Sequence, residues 1–117
     1  MSYVDGFVAA VPVANKADYM THAKQAAEVF IDHGALRVVE NWADDVPAGE
    51  VTSFDMAVKR QDDEAVVFSW VEWPSRDARN AGWQAAMKDP RMDSGANPMP
   101  FDGKRLIYGG FTTLLDV

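Results

Sequence analysis

Cysteine is absent from this sequence of 117 residues. Its absence excludes disulfide bonds, thiolate ligands for metals and cysteine nucleophiles. Basic residues are also scarce: 11 Lys and Arg stand against 18 Asp and Glu, which gives a formal net charge of −7. A surface of that charge repels phosphate backbones, so we expect no nucleic-acid partner.

Long hydrophobic runs are missing as well. No uninterrupted apolar run approaches the roughly 18 residues that a membrane-spanning helix needs. The apolar opening segment carries Asp5 and has no basic region before it, and Gly6 and Pro12 interrupt a helical reading. These features argue against a signal peptide. We therefore expect a cytoplasmic protein with no membrane partner.

The remaining composition is typical of a globular domain. Hydrophobic residues make up 48% of the chain and charged residues 25%, both ordinary values for folded proteins. A chain of this length can bury one core without covalent cross-links. Residues 1–117 are therefore predicted to form a single domain.

Periodicity and β-branched or aromatic composition predict four strands. They are expected at residues 3–11, 35–43, 65–73 and 106–115. Residues 51–60 fit either a strand or a helical turn, and we favour a short helix capped by Thr52 or Ser53. Residues 90–103 are rich in proline and glycine and are predicted to form a long loop.

Two longer helices are predicted between the strands. The first covers residues 16–33, with Asn15 as its N-cap and Gly34 as its stop. The second begins after Ser75, which is a good N-cap, and ends near Asp89 because a proline follows. Its small residues form a face that permits close approach to a sheet.

The order β-α-β-β-α-β is typical of a ferredoxin-like α+β fold. Such a fold has a four-stranded antiparallel sheet with both helices on one face. The other sheet face would display aromatic and aliphatic side chains to water, which is unusual for a monomer. Pairing two such faces across a two-fold axis removes that exposure, so we expect a homodimer in the form of a dimeric α/β barrel.

Eight segments carry a resemblance to a known family. They are YVDGF at 3–7, GALRVVENW at 34–42, DDVP at 44–47, MAVK at 56–59, VVFSW at 66–70, DPRM at 89–92, MPFDGKR at 99–105 and IYGGF at 107–111. Together they resemble the YbaA-like family of small uncharacterised bacterial proteins, within the dimeric α/β-barrel superfamily. The resemblance implies the fold, a dimer and a bacterial intracellular setting, but no reaction. Members of the wider superfamily include cofactor-free monooxygenases, lactone isomerases and ligand-sensing domains.

Carboxylates and large aromatics on the predicted strands form the candidate site. The candidate catalytic acids are Glu40, Glu72 and Asp5, and the candidate ligand-binding residues are Phe7, Trp42, Phe68, Trp70 and Arg105. If the faces that carry them coincide, acids lie among aromatic rings, where burial raises a carboxyl pKa and makes a general base. The alternative is that the aromatics form dimer core, while the acids pair with Arg37, Lys104 or Arg105.

Two of these residues carry further expectations. Glu72 shares the face of Trp70, and Arg37 or Arg105 is its expected partner. Arg105 follows an Asp-Gly turn, where it could hold a small carboxylate or phosphate. The alternative there is a tight chain connection.

The two histidines do not suggest a metal site. His22 and His33 are eleven residues apart on one predicted helix, which separates them by about 16 Å along its axis. A solvated His22 and a His33 favoured by the helix C-terminus are expected instead. We expect no metal and no cofactor, and haem in particular is disfavoured.

The sequence thus favours a small-molecule-binding homodimer. In the first interpretation it is a cofactor-independent enzyme, monooxygenase- or isomerase-like, that acts on a small aromatic or polyketide-like compound. In the alternative it is a non-catalytic ligand-sensing or structural dimer. The residues leave open whether the chain is an enzyme.

Overall fold

Four antiparallel strands form one sheet in the computed structural model, which describes residues 2–117. The strands are β1 (Tyr3–Pro12), β2 (Arg37–Trp42), β3 (Glu64–Trp73) and β4 (Ile107–Thr112). The helices are α1 (Lys16–Asp32), α2 (Phe54–Ala57) and α3 (Arg76–Lys88), with single 3₁₀ turns at Val13–Asn15, Pro90–Met92 and Gly103–Arg105. The strand order β2-β3-β1-β4 confirms the predicted ferredoxin-like α+β fold.

The core lies between one face of the sheet and the helices α1 and α3. Alternate residues of β3, among them Val67, Val71 and Trp73, point to this side and are buried. Val71 and Trp73 pack with Phe30 of α1 and Ala86 of α3, and Val67 packs with Tyr19 of α1. We call this the helix-facing side and the opposite one the open face. None of the helices within residues 2–117 has the length and apolar character needed to cross a membrane.

Side-chain caps set the start of two helices. The Ser75 hydroxyl accepts a hydrogen bond from the Ala78 amide at the start of α3, as predicted. The Ser53 hydroxyl accepts one from the Met56 amide, which confirms the short helix that the sequence favoured. Asn15 occupies the N-cap position of α1, as predicted, but its side chain makes no capping hydrogen bond. Its amide instead donates to the carbonyl of Pro100, 2.9 Å away.

Two predicted strands are shorter in the structure. The second begins at Arg37 rather than residue 35, because the left-handed turn at Gly34, with a φ of 109°, is followed by two residues that lead into the sheet. The last ends at Thr112 rather than residue 115. Its pairing with β1 stops where β1 itself begins, at Tyr3.

Gly82 lets α3 lie directly on the indole of Trp73. A Cβ at position 82 would come within 2.3 Å of that ring and 2.8 Å of the His33 carbonyl oxygen. Trp73 is completely buried, so it has no free space into which it could move. The close packing of α3 on Trp73 therefore explains why this face of the helix carries a residue without a side chain.

Replacing Gly82 with alanine should destabilise the chain despite the higher helix propensity of alanine. Overpacking of this kind costs about 1–3 kcal/mol. Chemical denaturation of Gly82→Ala against the wild type measures the loss. The matched control is Gly95→Ala in the exposed loop, where the new Cβ would lie 3.4 Å from an Asp93 carboxylate oxygen. Equal stabilities for the two variants would contradict the packing described here.

Candidate functional site

The strand register divides the candidate residues between the two faces of the sheet. Glu40 lies opposite Ser69, and Trp42 lies opposite Val67, so both point to the helix-facing side. Asp5 is opposite Val71 and points to the same side. Phe68, Trp70 and Glu72 occupy the open face. The condition that all these faces coincide is therefore not met: Asp5 joins Glu40 and Trp42, but Phe68, Trp70 and Glu72 lie on the opposite side of the sheet.

Of these helix-facing candidates, Glu40 lines a cavity of about 640 Å³, as does Phe7 of β1, whereas Asp5 and Trp42 do not. The cavity lies between the sheet, helices α1 and α3, and the loop of residues 90–102. Its walls are mostly apolar and include the side chains of Phe7, Phe30, Trp83, Met87, Phe101 and Tyr108. A cavity of this volume is of the size that accepts a small organic ligand.

Glu40 supplies the acid of this cavity. Its carboxylate accepts a hydrogen bond of 2.5 Å from the Tyr19 hydroxyl. Although Glu40 is exposed along the edge strand β2, the loss of water around its carboxylate raises its pKa above the ordinary value. Hydrogen bonds from Tyr19 and Ser69 oppose that shift without cancelling it. A carboxylate with a raised pKa is a stronger base than one in water.

Tyr19 is held as a hydrogen-bond donor. Burial raises the pKa of its hydroxyl, and the adjacent Glu40 charge raises it further. The phenol therefore keeps its proton throughout the physiological range. Its ring packs near Trp42, with centroids 6.4 Å apart, and the Lys16 ammonium lies 5.1 Å from the centre of the Trp42 ring. Trp42 thus contacts the tyrosine that holds Glu40.

His22 is a second polar residue of the cavity, and the expectation of a solvated His22 is wrong. It is half-buried, lines the cavity and lies 2.9 Å from the Asn97 amide oxygen through its Nδ1. The helical pattern of α1 cannot predict this contact, because Asn97 lies 75 residues later in the sequence, in a loop. His33 is placed at the end of α1, as expected, and pairs with Asp89 at 3.0 Å.

Hydrogen bonds to α1 hold the 90–102 loop over the cavity. The Asn97 amide donates to the His22 carbonyl, and the Gln25 amide donates to the Arg91 carbonyl. The bond from Asn15 to Pro100 adds a third attachment. The loop therefore forms an ordered wall of the cavity.

Asp5 is buried beside the cavity wall rather than in it. Its carboxylate accepts hydrogen bonds from the indole nitrogens of Trp73 and Trp83, at 2.9 and 2.8 Å. Arg79 forms an ion pair with it at 3.0 Å. Gly110 leaves room for this arrangement, since a Cβ there would come within 2.5 Å of the Arg79 guanidinium. Asp5 thereby fixes the position of Trp83, which does line the cavity.

Arg105 lies in an ion-pair network. It contacts both oxygens of the buried Glu64 carboxylate, at 2.6 and 2.7 Å, and also Asp102 at 3.0 Å. These hydrogen bonds hold the pKa of Glu64 below its ordinary range. Because the Arg105 guanidinium already pairs with Glu64 and Asp102, these two carboxylates take the place expected for a bound anion. The geometry therefore supports the alternative interpretation, in which this segment is a tight chain connection.

Glu72 lies on the open face with Trp70, as expected. The Trp70 indole donates to its carboxylate at 3.0 Å, and Arg37 lies 3.7 Å away, which confirms Arg37 as its partner. Phe68, next to Trp70, is 44% exposed. Phe111 lies on the same face, on the edge strand β4, and is 62% exposed. The open face thus exposes aromatic side chains in one chain, although Ala10 and Val66 of this face are buried in a cluster with Val58.

Comparisons with known proteins agree with this fold. Residues 2–103 match the model of DUF1428, a family described as protein of unknown function. The uncharacterized protein YbaA of Escherichia coli K12 is 56% identical over 116 residues, covering 99% of both chains, and YbaA of Shigella flexneri matches equally. The solved structure of a mutant of SnoaB, a cofactor-independent oxygenase from Streptomyces nogalater, superposes with a TM-score of 0.60. The superposition covers 99% of this chain and 96% of SnoaB at 13% identity, so it shows a shared fold.

Proposed function

The chain belongs to the DUF1428 family of proteins of unknown function, and we propose that it binds a small aromatic compound and acts on it as a cofactor-independent enzyme. The proposed site is the cavity between the sheet and the helices. Glu40 is the proposed general base, and Tyr19 orients it. The observation that carries the proposal is the Glu40 carboxylate, hydrogen-bonded to Tyr19 and turned towards an apolar cavity of about 640 Å³.

The walls of the cavity support an aromatic ligand. Phe7 and Tyr108 stack at a centroid distance of 6.3 Å, and the tilted ring of Trp83 also lies 6.3 Å from Phe7. Planar rings pack well against such surfaces. Among the residues that line the cavity, all of them within 2–117, Glu40 is the only acid, and no lysine or arginine is present to balance an anionic ligand. A neutral compound therefore fits the cavity better than an anion.

The proposed reaction begins with the transfer of a proton from an activated C–H bond of the substrate to Glu40. In an isomerase the same carboxyl group returns the proton at another carbon. In an oxygenase the carbanion reacts with O₂: a CH₂ group becomes C=O and the second oxygen leaves with both hydrogens as water. The oxygenase SnoaB shares this fold, which favours the second course by analogy alone.

Anthrone tests the proposal, because its methylene protons are acidified by a ketone and two rings. In D₂O under argon, the chain should accelerate exchange of these protons above the rate without protein. Admission of air should then consume one O₂ per anthrone and yield anthraquinone if the chain is an oxygenase. Binding without any accelerated exchange would contradict the enzyme proposal and support the ligand-sensing alternative.

A second copy of the chain is the proposed partner of the open face. Phe68, Trp70 and Phe111 present aromatic surface there, and one edge of the face carries the Arg37–Glu72 ion pair. Exposed aromatic patches of this kind mark interaction surfaces. An isologous contact would bury the same patch on both copies. Phe68, Trp70 and Glu72 are then interface residues rather than ligand-binding or catalytic ones.

Replacing Trp70 with aspartate should convert this dimer to a monomer. An unpaired carboxylate in an apolar interface is costly. Sedimentation equilibrium should give twice the 12.9 kDa chain mass for the wild type and the single mass for Trp70→Asp. Met20→Asp is the control, because Met20 is 59% exposed on α1, away from the open face. A wild type that sediments as a monomer at micromolar concentration would contradict the proposed partner.

A further inference from the structure

The Asn97 side chain fixes which nitrogen of His22 carries the proton. The Asn97 Nδ2 donates to the backbone carbonyl of His22, which leaves the Asn97 Oδ1 as an acceptor. That oxygen lies 2.9 Å from His22 Nδ1, so Nδ1 must be the donor in this pair. In an uncharged imidazole, Nε2 then has no proton and can only accept a hydrogen bond.

His22 and Tyr19 lie three residues apart on α1, which puts both on one face of the helix. Their ring centroids are 6.3 Å apart, and Phe101 contacts the imidazole edge-on at 6.0 Å. Within residues 2–117, no side chain or carbonyl donates to or accepts from Nε2 of His22. Two residues of the cavity lining that contact Tyr19 therefore carry acceptors: Glu40 its carboxylate, and His22 an Nε2 with no partner within residues 2–117.

We infer that His22 determines specificity by accepting a hydrogen bond from the ligand end opposite to Glu40. The ligand class is an uncharged aromatic compound with hydroxyl groups at two opposite ends. One hydroxyl faces Glu40, and the other donates to His22 Nε2. This inference rests on the proposed binding of an aromatic compound in the cavity, and it adds the polar pattern that the ligand must carry.

The test uses two probes of similar shape, 2,6-dihydroxynaphthalene and 6-methoxy-2-naphthol, titrated into the full chain by calorimetry at pH 8. The methoxy group cannot donate, so the dihydroxy probe should bind about three- to tenfold tighter to the wild type. In His22→Phe, which keeps an aromatic ring without nitrogen, that advantage should fall below about twofold. The affinity for the methoxy probe should stay the same.

Two further variants separate specificity from folding. His22→Gln keeps an acceptor oxygen and should retain part of the preference for the dihydroxy probe. Asn97→Leu removes the group that fixes the tautomer, so the imidazole can also present Nε2–H to the methoxy oxygen. The preference between the probes should therefore shrink in Asn97→Leu, mainly because the methoxy probe binds better.

The outcomes distinguish this inference from the proposed function. Equal affinity of the wild type for both probes, or an undiminished preference in His22→Phe, would overturn the role of His22 while leaving an aromatic-binding cavity in place. Failure of the wild type to bind either probe at millimolar concentration would overturn the proposed function and this inference with it. If His22→Phe does not fold, the comparison of His22→Gln with Asn97→Leu decides the question, since the inference requires both to bind the two probes less selectively than the wild type.

Discussion

Replacing Glu40 with glutamine is expected to slow the exchange of anthrone protons by about 100-fold or more. The amide has nearly the shape of the carboxyl group, and it can still accept a hydrogen bond from Tyr19. It cannot take up a proton, and positioned general bases contribute about 10²–10⁴-fold to rates. The exchange rate per mole of folded chain, measured by mass spectrometry in D₂O, gives the effect directly.

Glu28→Gln is the matched control for this experiment. Glu28 is an exposed residue of α1, so the same chemical change occurs there without reaching the cavity. We expect the exchange rate of this variant to equal that of the wild type. Similar rates for Glu40→Gln and Glu28→Gln would exclude Glu40 as the base.

The same glutamine variant should become more stable relative to the wild type as the pH rises. The pKa of Glu40 is raised in the fold from its ordinary value of 4.5, mainly because its carboxylate loses water. The folded chain therefore holds this proton more tightly than the unfolded chain, and the wild type loses stability as the pH increases above 4.5. Glutamine has no such titration. The melting temperature of Glu40→Gln minus that of the wild type should thus be larger at neutral pH than in acid.

Replacing Asp5 with asparagine should destabilise the chain by about 3 kcal/mol or more. The Asp5 carboxylate accepts from two indole nitrogens and pairs with Arg79. Asparagine would direct its amide N–H₂ group at one of these donors and leave the guanidinium without a counter-charge. Breaking a buried ion pair in this way typically costs about 3–5 kcal/mol. Urea denaturation measures the loss, and Trp83 should become less well ordered.

Asp102→Asn is the control for Asp5→Asn, since Asp102 also pairs with an arginine, Arg105, but is 45% exposed. Exposed ion pairs contribute only about 0–1 kcal/mol, so this variant should be nearly as stable as the wild type. If both variants lost the same stability, burial would not be the reason for the importance of Asp5.

The elements of the fold could be predicted from the sequence because local signals mark them. Ser75, Ser53 and Gly34 set helix ends by capping or by a positive φ. The dense β-branched and aromatic run of β3 identifies the central strand. Once the order of elements was known, few topologies other than the ferredoxin-like one remained.

The face of the sheet on which each candidate lies could not be predicted in the same way. Within one strand, parity is certain, and it correctly grouped Trp70 with Glu72. Between strands, parity depends on the register, and a shift by one residue moves every side chain to the other face. The observed pairing of Arg37 with Glu72 puts Glu40 on the side opposite to Trp70.

The cavity depends on contacts between segments distant in the sequence. Its wall of residues 90–102 is attached to α1 by bonds such as His22–Asn97, which joins residues 75 positions apart. The hydrophobic periodicity of one segment carries no information about a contact with a segment so far away. Its strand and its aromatic neighbours make Glu40 a candidate from the sequence alone. The contacts of Tyr19 with Glu40 and of His22 with Asn97 join distant segments, so the sequence does not predict their places in the cavity.

A crystal structure of the chain with 2,6-dihydroxynaphthalene tests most directly whether this cavity is the binding site. We expect the naphthalene rings to lie in the cavity against Phe7 and Trp83, with one hydroxyl within hydrogen-bond distance of Glu40 and the other near His22. A probe bound on the open face against Phe68 and Trp70, with the cavity left empty, would contradict it.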